Sequence, residues 1–124
     1  MAITSEKPSQ ALLDAFKGRN IMDIESLSKE DLQTIMQTAA YYDRALAEKR
    51  LLKDMEGQVM ASLFFEPSTR TRLSFECAME RLGGKVITVS ETPSMQTSST
   101  AKGETMYDAI RVINYYCDVI ACRS

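Results

Sequence analysis

The residues with the most chemistry to offer are Ser68-Thr69-Arg70-Thr71. A short continuous apolar run, Gln58 to Phe65, precedes them, and a stretch with helical apolar spacing follows. The tetrapeptide therefore falls where a strand turns into a helix. A helix N-terminus presents unpaired backbone N–H groups and the positive end of the helix dipole. Ser68, Thr69 and Thr71 add three hydroxyls, and Arg70 adds a planar fork that matches two phosphate oxygens. The segment lacks the Gly-x-x-x-x-Gly-Lys pattern, so it does not read as a nucleotide P-loop. A plainer alternative stays open: Ser68 and Thr69 merely cap the helix, and Arg70 pairs with Glu66.

Two further cations bear on the choice. Lys102 lies late in a Ser- and Thr-rich stretch, beside Gly103, with Ser98 and Ser99 upstream. Arg123 follows a short apolar run. Taken singly, each reads equally as a solvated surface residue. Taken with Arg70, they point to a small, multiply charged anion.

The elements that must position these groups follow from periodicity. Ser9 to Phe16 reads as a short helical segment, broken by Gly18-Arg19-Asn20. An amphipathic helix is expected from about Lys29 to Arg50, with Ser28 as N-cap and Asp31 at its third position. Its stripe of Leu32, Ile35, Met36, Ala39 and Leu46 reads as core. The charged run from Glu48 to Glu56 reads as a solvated face or loop. Beyond Gly57 the rhythm changes. The apolar run to Phe65 suits a buried parallel strand, and Pro67 ends it. A helix is expected from Ser68 or Thr69 to about Leu82, with Leu73, Phe75, Ala78, Met79 and Leu82 apolar and Gly83-Gly84 as the stop. Lys85 to Val89 is a second strand, Ser90 to Gly103 a long polar loop, Glu104 to Tyr116 a third helix, and Val119 to Cys122 a third strand.

That order, βαβαβ, predicts an α/β fold: a parallel sheet with flanking helices and right-handed crossovers. Ligands in such sheets bind beyond the carboxyl ends of the strands. Glu66 to Arg72, Ser98 to Glu104, and Arg123 all follow strand ends and should converge at one edge. The chain divides, on this reading, into a helical part over 1–56 and a βαβαβ unit over 57–124.

Composition narrows the function classes. The chain has 124 residues, enough for one domain with one core. Fifteen Lys and Arg stand against seventeen Asp and Glu, a net charge of −2, which argues against a general nucleic-acid binder. The anion site must then be a local cluster rather than a whole-chain field. There is no His, which removes the usual general base, the Ser-His and Cys-His nucleophile pairs and His-ligated metal sites. Three cysteines, Cys77, Cys117 and Cys122, lack Cys-x-x-Cys spacing and fit neither a disulfide framework nor a zinc ribbon. Reduced, mostly buried thiols of a cytoplasmic protein are the expectation. Met1 to Gln10 has no apolar core of a signal peptide, and no apolar run is long enough to span a membrane.

Phe64-Phe65-Glu66-Pro67-Ser68-Thr69-Arg70-Thr71-Arg72-Leu73-Ser74-Phe75-Glu76 resembles the carbamoyl-phosphate signature of the aspartate and ornithine carbamoyltransferases. Arg81-Leu82-Gly83-Gly84 fits the end of the same family's helix. Lys102-Gly103-Glu104-Thr105 is similar to the swinging loop of the aspartate branch, and the ornithine branch lacks that lysine pattern. Asp118-Val119-Ile120-Ala121-Cys122-Arg123 matches the strand whose last arginine meets the substrate carbonyl. The resemblance runs along nearly the whole chain and is densest from Gly57 on.

What the resemblance implies is specific. Ser68, Thr69, Arg70 and Thr71 would hold the phosphate of carbamoyl phosphate, and Thr71 and Arg123 would polarise its carbonyl. Ser98 and Lys102 would act in the neighbouring subunit of a homotrimer. Thr71, Arg123 and Lys102 are thus the catalytic candidates. Glu66 would hold the basic cluster together, and Arg72 would serve packing or an ion pair. The reaction would be attack of the L-aspartate amine on the carbamoyl carbon, with loss of phosphate and no metal or cofactor, a step of pyrimidine biosynthesis. Measured against the family pattern, the chain ends inside the carbamoyl-phosphate-binding domain. Ser124 stands where His-Pro usually begins, and the resemblance implies that these residues do not include the aspartate-binding domain. The isolated chain is accordingly expected to bind weakly at most and not to turn over. Two other readings stay in play: transfer to another amine such as ornithine, and a non-catalytic module that only binds or assembles. Whether a regulatory chain binds is left open by the sequence.

Overall fold

A computed structural model describes residues 4–90 and 106–123. The chain forms two compact units, one running up to Arg50 and the other starting at Leu51.

The first unit is helical, with α1 at Gln10–Asp14 and α2 at Lys29–Ala47. The start of α2 follows from its capping residues. Ser28 Oγ accepts from the Asp31 N–H at 3.0 Å, and Asp31 Oδ2 accepts from the Ser28 N–H at 3.0 Å. This reciprocal box satisfies two donors that the helix itself leaves unpaired. Arg19 adds a bidentate grip on the same carboxylate, at 3.1 and 2.9 Å. Arg19 and the Ser28 N–H together hold the Asp31 carboxyl at about 2, well below its ordinary value.

The end of α2 is a correction to the sequence reading. The helix stops at Ala47, three residues before Arg50, without a glycine. Lys49 takes the left-handed conformation, with φ at 56°. The Lys49 N–H then donates to the Leu46 carbonyl and the Arg50 N–H to the Ala45 carbonyl, both at 3.0 Å. This is a Schellman closure with a lysine in the position that favours glycine. A second correction concerns the apolar stripe. Leu32, Ile35, Met36 and Leu46 are all exposed, Met36 at 53%, and the buried residues of α2 are Thr34 and Ala45. A helical unit of this size has too little interior to bury so wide a stripe.

The second unit carries the sheet. Strands β1 at Val59–Phe64, β2 at Lys85–Ser90 and β3 at Val119–Arg123 alternate with α3 at Thr69–Arg81 and α4 at Met106–Asn114. All pairing is parallel, in the order β2-β1-β3. The central strand is the core: Met60, Ala61, Ser62, Leu63 and Phe64 are all buried, as a parallel strand with neighbours on both sides requires. Asp118 locks the start of β3 to β1, its carboxylate accepting from the Val59 N–H at 2.9 Å and its own N–H donating to the Val59 carbonyl at 2.8 Å. Gly83, at φ +86°, ends α3, and the Gly84 N–H closes the turn on the Met79 carbonyl at 3.0 Å. A side chain at Gly84 would run into Met79, the one buried residue of α3.

The expected order of elements is therefore present, and most bounds agree within two residues. Arg123 is the last residue of β3, where the sequence placed it just beyond a strand ending at Cys122. The thiols depart from expectation. All three are free, but Cys77 and Cys122 are exposed and Cys117 is half-buried. Cys122 lies on an edge strand and Cys77 on a helix whose only buried residue is Met79, so neither position offers an enclosed interior. The loop expected over Ser90 to Gly103 falls almost entirely outside the described residues.

Two outcomes follow. Lys49→Gly relieves a left-handed side chain and should stabilise the protein by about 0.5–1 kcal/mol, read as a raised melting temperature; a lowered one contradicts the closure described. The Asp31 carboxyl is depressed on folding, so its contribution is complete above the ordinary value near 3.8 and is lost as pH falls toward about 2. In an NMR titration, Arg19→Ala should move the Asp31 midpoint upward, and an unmoved midpoint would show that Arg19 is not its cause.

Candidate functional site

The strand order decides where the site lies. From β1 the chain crosses to β2 on one side and then returns past β1 to β3 on the other. With right-handed connections, that reversal puts α3 and α4 on opposite faces and opens a crevice at the carboxyl ends of β1 and β3. The two ends are level. Phe64 pairs in register with Arg123, and the Phe65 N–H donates to the Arg123 carbonyl at 2.9 Å.

The turn into α3 fills this crevice. Ser68 is the N-cap residue, with φ −161° and ψ 63°, and its carbonyl takes the first helical bond from the Arg72 N–H at 2.9 Å. The N–H groups of Thr69, Arg70 and Thr71 precede that bond and find no acceptor within the helix. In contrast to the capping alternative, Ser68 makes no side-chain cap bond. Its Oγ instead accepts from Arg123 Nη1 at 2.9 Å. Arg123 Nε donates to Glu66 Oε1 at 2.7 Å. One turn of chain thus grips the guanidinium of the neighbouring strand from two sides. The pair is about half exposed on each side, so it adds on the order of 0–1 kcal/mol to stability, and its main effect is orientation.

This geometry sorts the basic residues. The pairing considered from sequence, Arg70 with Glu66, is not formed; Glu66 belongs to Arg123. Arg70 is exposed and makes no ion pair or hydrogen bond among the described residues. Arg72 is engaged by Glu76 at 3.3 Å, an i,i+4 pair that its spacing makes legible. Thr71 is half-buried, and its carbonyl accepts from Ser74 Oγ at 2.7 Å. Arg123 and the Ser68–Thr71 turn therefore come together at one sheet edge. Ser98 and Lys102 lie outside the described residues.

The arrangement can receive an anion: a helix N-terminus, hydroxyls on both sides of Arg70, and a second guanidinium already oriented. With no His in the chain, its hydroxyls and thiols have no imidazole base to activate them. Although Cys122 is exposed overall, the burial that its thiol does have pushes it up from its ordinary value. Among the described residues, no group of three or more His, Cys, Asp or Glu comes close enough together to hold a metal ion. Among the same residues, no helix is long and apolar enough to cross a membrane.

The sequence as a whole agrees with this local picture. The family model for the carbamoyl-P binding domain of aspartate/ornithine carbamoyltransferase matches residues 19–124. The chain belongs to that family. It is 50% identical over 107 residues to an aspartate carbamoyltransferase catalytic subunit of Picrophilus torridus, and 46% identical over 105 residues to that of Methanocaldococcus jannaschii. These matches cover 86% and 85% of this chain but only 34% and 33% of the relatives. The chain thus spans about a third of the length of the curated relatives it matches. Its fold superimposes with a TM-score of 0.80 on aspartate transcarbamoylase from Trypanosoma cruzi in complex with N-(phosphonacetyl)-L-aspartic acid. That match has 36% identity and covers 96% of this chain and 36% of the other.

Proposed function

We propose that this chain supplies the carbamoyl-phosphate half of an aspartate carbamoyltransferase site. The observation that best supports this reading is the hydrogen bond of Arg123 to Ser68, which joins two strand ends around a helix N-terminus. Ser68, Thr69, Arg70 and Thr71 hold the phosphate. Thr71 and Arg123 draw electron density from the carbamoyl oxygen. The L-aspartate amine attacks the carbamoyl carbon, a tetrahedral intermediate forms, and the C–O bond to phosphate breaks, the departing phosphate taking the proton that the amine gives up. This chemistry asks for two substrates in reacting geometry and for charge stabilised on oxygen, not for a covalent nucleophile. A site of cations and hydroxyls without histidine suits that demand.

Ser98 and Lys102 complete the site from the neighbouring subunit of a homotrimer. The 1–56 part and the βαβαβ unit over 57–124 together form the carbamoyl-phosphate domain. The protein works in the cytoplasm in pyrimidine synthesis, and the isolated 124 residues do not turn over. The aspartate branch is favoured over ornithine by Lys102-Gly103-Glu104-Thr105 and by the names of the relatives.

Competing amines test the substrate. In the assembled enzyme, aspartate should be carbamoylated and ornithine should not; the reverse would overturn the assignment. Mixed trimers test the shared site. Lys102→Ala and Arg70→Ala chains, each inactive alone, should regain part of the activity when mixed, because some sites then receive both native residues. No recovery would place the two residues in one subunit.

A further inference from the structure

The first turn of α3 has an unusual means of support. Its only buried side chain, Met79, lies ten residues from Thr69, about 15 Å along the axis at 1.5 Å per residue. Leu73 and Phe75, the apolar residues nearer the N-terminus, are each 49% exposed. Apolar packing thus anchors the far end of the helix and not the end that carries Thr69, Arg70 and Thr71.

Polar ties do the rest, one to each strand flanking β1. On the β3 side, Arg123 holds Ser68. On the β2 side, the tie is Glu76. Its side chain is 17% exposed. One carboxylate accepts from Arg72 Nη1, at 3.3 and 3.5 Å, and from Thr88 Oγ1 of β2 at 3.2 Å. Arg72 is the residue whose N–H makes the first bond of the helix, to the Ser68 carbonyl. Glu76 therefore connects the first turn of α3 to the sheet through Arg72 on one side and Thr88 on the other. Thr88 is paired in register with Ser62 of the buried central strand, so the tie ends on the most rigid part of the unit.

We propose that Glu76 is a positioning residue for the anion cradle: through Arg72 and Thr88 it fixes the first turn of α3 against the sheet, and so sets the affinity for carbamoyl phosphate without touching it. This inference rests on the reading of that turn as the phosphate site. The two are separable by experiment.

The test uses the assembled enzyme with Glu76→Gln and, independently, Thr88→Val, which removes the hydroxyl at nearly constant shape. Both should raise KM for carbamoyl phosphate and Kd for inorganic phosphate by about three- to tenfold, the scale of one net hydrogen bond. KM for aspartate should stay within about twofold on that same scale, and the double variant should be less than additive because both changes cut one tie. A purely structural role would reduce the active fraction and leave both KM values in place; that result, or an equal rise in both, overturns the proposal. If Glu76→Gln fails to fold, Thr88→Val carries the same comparison. Absence of phosphate binding by the unmodified enzyme would instead overturn the cradle itself, and the role of Glu76 with it.

Discussion

The parallel register of β3 on β1 is the constraint on which the site depends. It sets Arg123 level with Phe64, at the point where the chain leaves the sheet for α3. A slip of one residue would turn the Arg123 side chain to the opposite face and away from Ser68. The register is held at both ends, by the double contact of Asp118 with Val59 and by the Phe65 N–H on the Arg123 carbonyl. Burial of the central strand from Met60 to Phe64 gives that pairing its stability. Local chemistry at the cradle is thus a consequence of a nonlocal alignment across some 60 residues of sequence.

The charges at the crevice follow a consistent logic. A net charge of −2 gives the chain no general attraction for anions, so selectivity has to come from placement. Arg123 is held in orientation by Glu66 and Ser68, while Arg72 is satisfied by Glu76. That leaves Arg70 as the basic side chain of the turn without a partner among the described residues. A guanidinium at a helix N-terminus opposes the helix dipole, at a cost of about 0.3–1 kcal/mol when exposed, and an arriving phosphate reverses that cost with bidentate bonds.

Much of this was legible in the sequence, for stated reasons. The elements of the sheet unit are legible for different reasons: β1, buried between two neighbours, reads as a continuous apolar run, β2 as a β-branched segment, and the helices through their apolar spacing. Ser28 and Asp31 announced their capping box through spacing alone. The stop of α2 was not legible, since Lys49 carries no glycine signal and its left-handed backbone is set by the closure around it. The partner of Glu66 was not legible either. Local spacing offers Arg70, four residues away, only as the plainer alternative, and the fold delivers Arg123 from 57 residues away, in keeping with a Glu66 that holds the basic cluster together. The apolar stripe of α2 is legible as a stripe but not as exposed, because periodicity reports a face and not what covers it.

The central claim is that the N-terminus of α3, with Arg70 and Arg123, binds the phosphate group. Calorimetric titration of inorganic phosphate into the assembled enzyme addresses it most directly, with Arg70→Ala and Arg72→Ala compared in parallel. Loss of a charge-assisted bidentate contact at Arg70 should weaken binding on the order of ten- to a hundredfold, and loss of Arg72, which acts only through Glu76, by no more than the scale of one net hydrogen bond. Phosphate affinity unchanged by Arg70→Ala, with the larger loss at Arg72→Ala, would contradict the account.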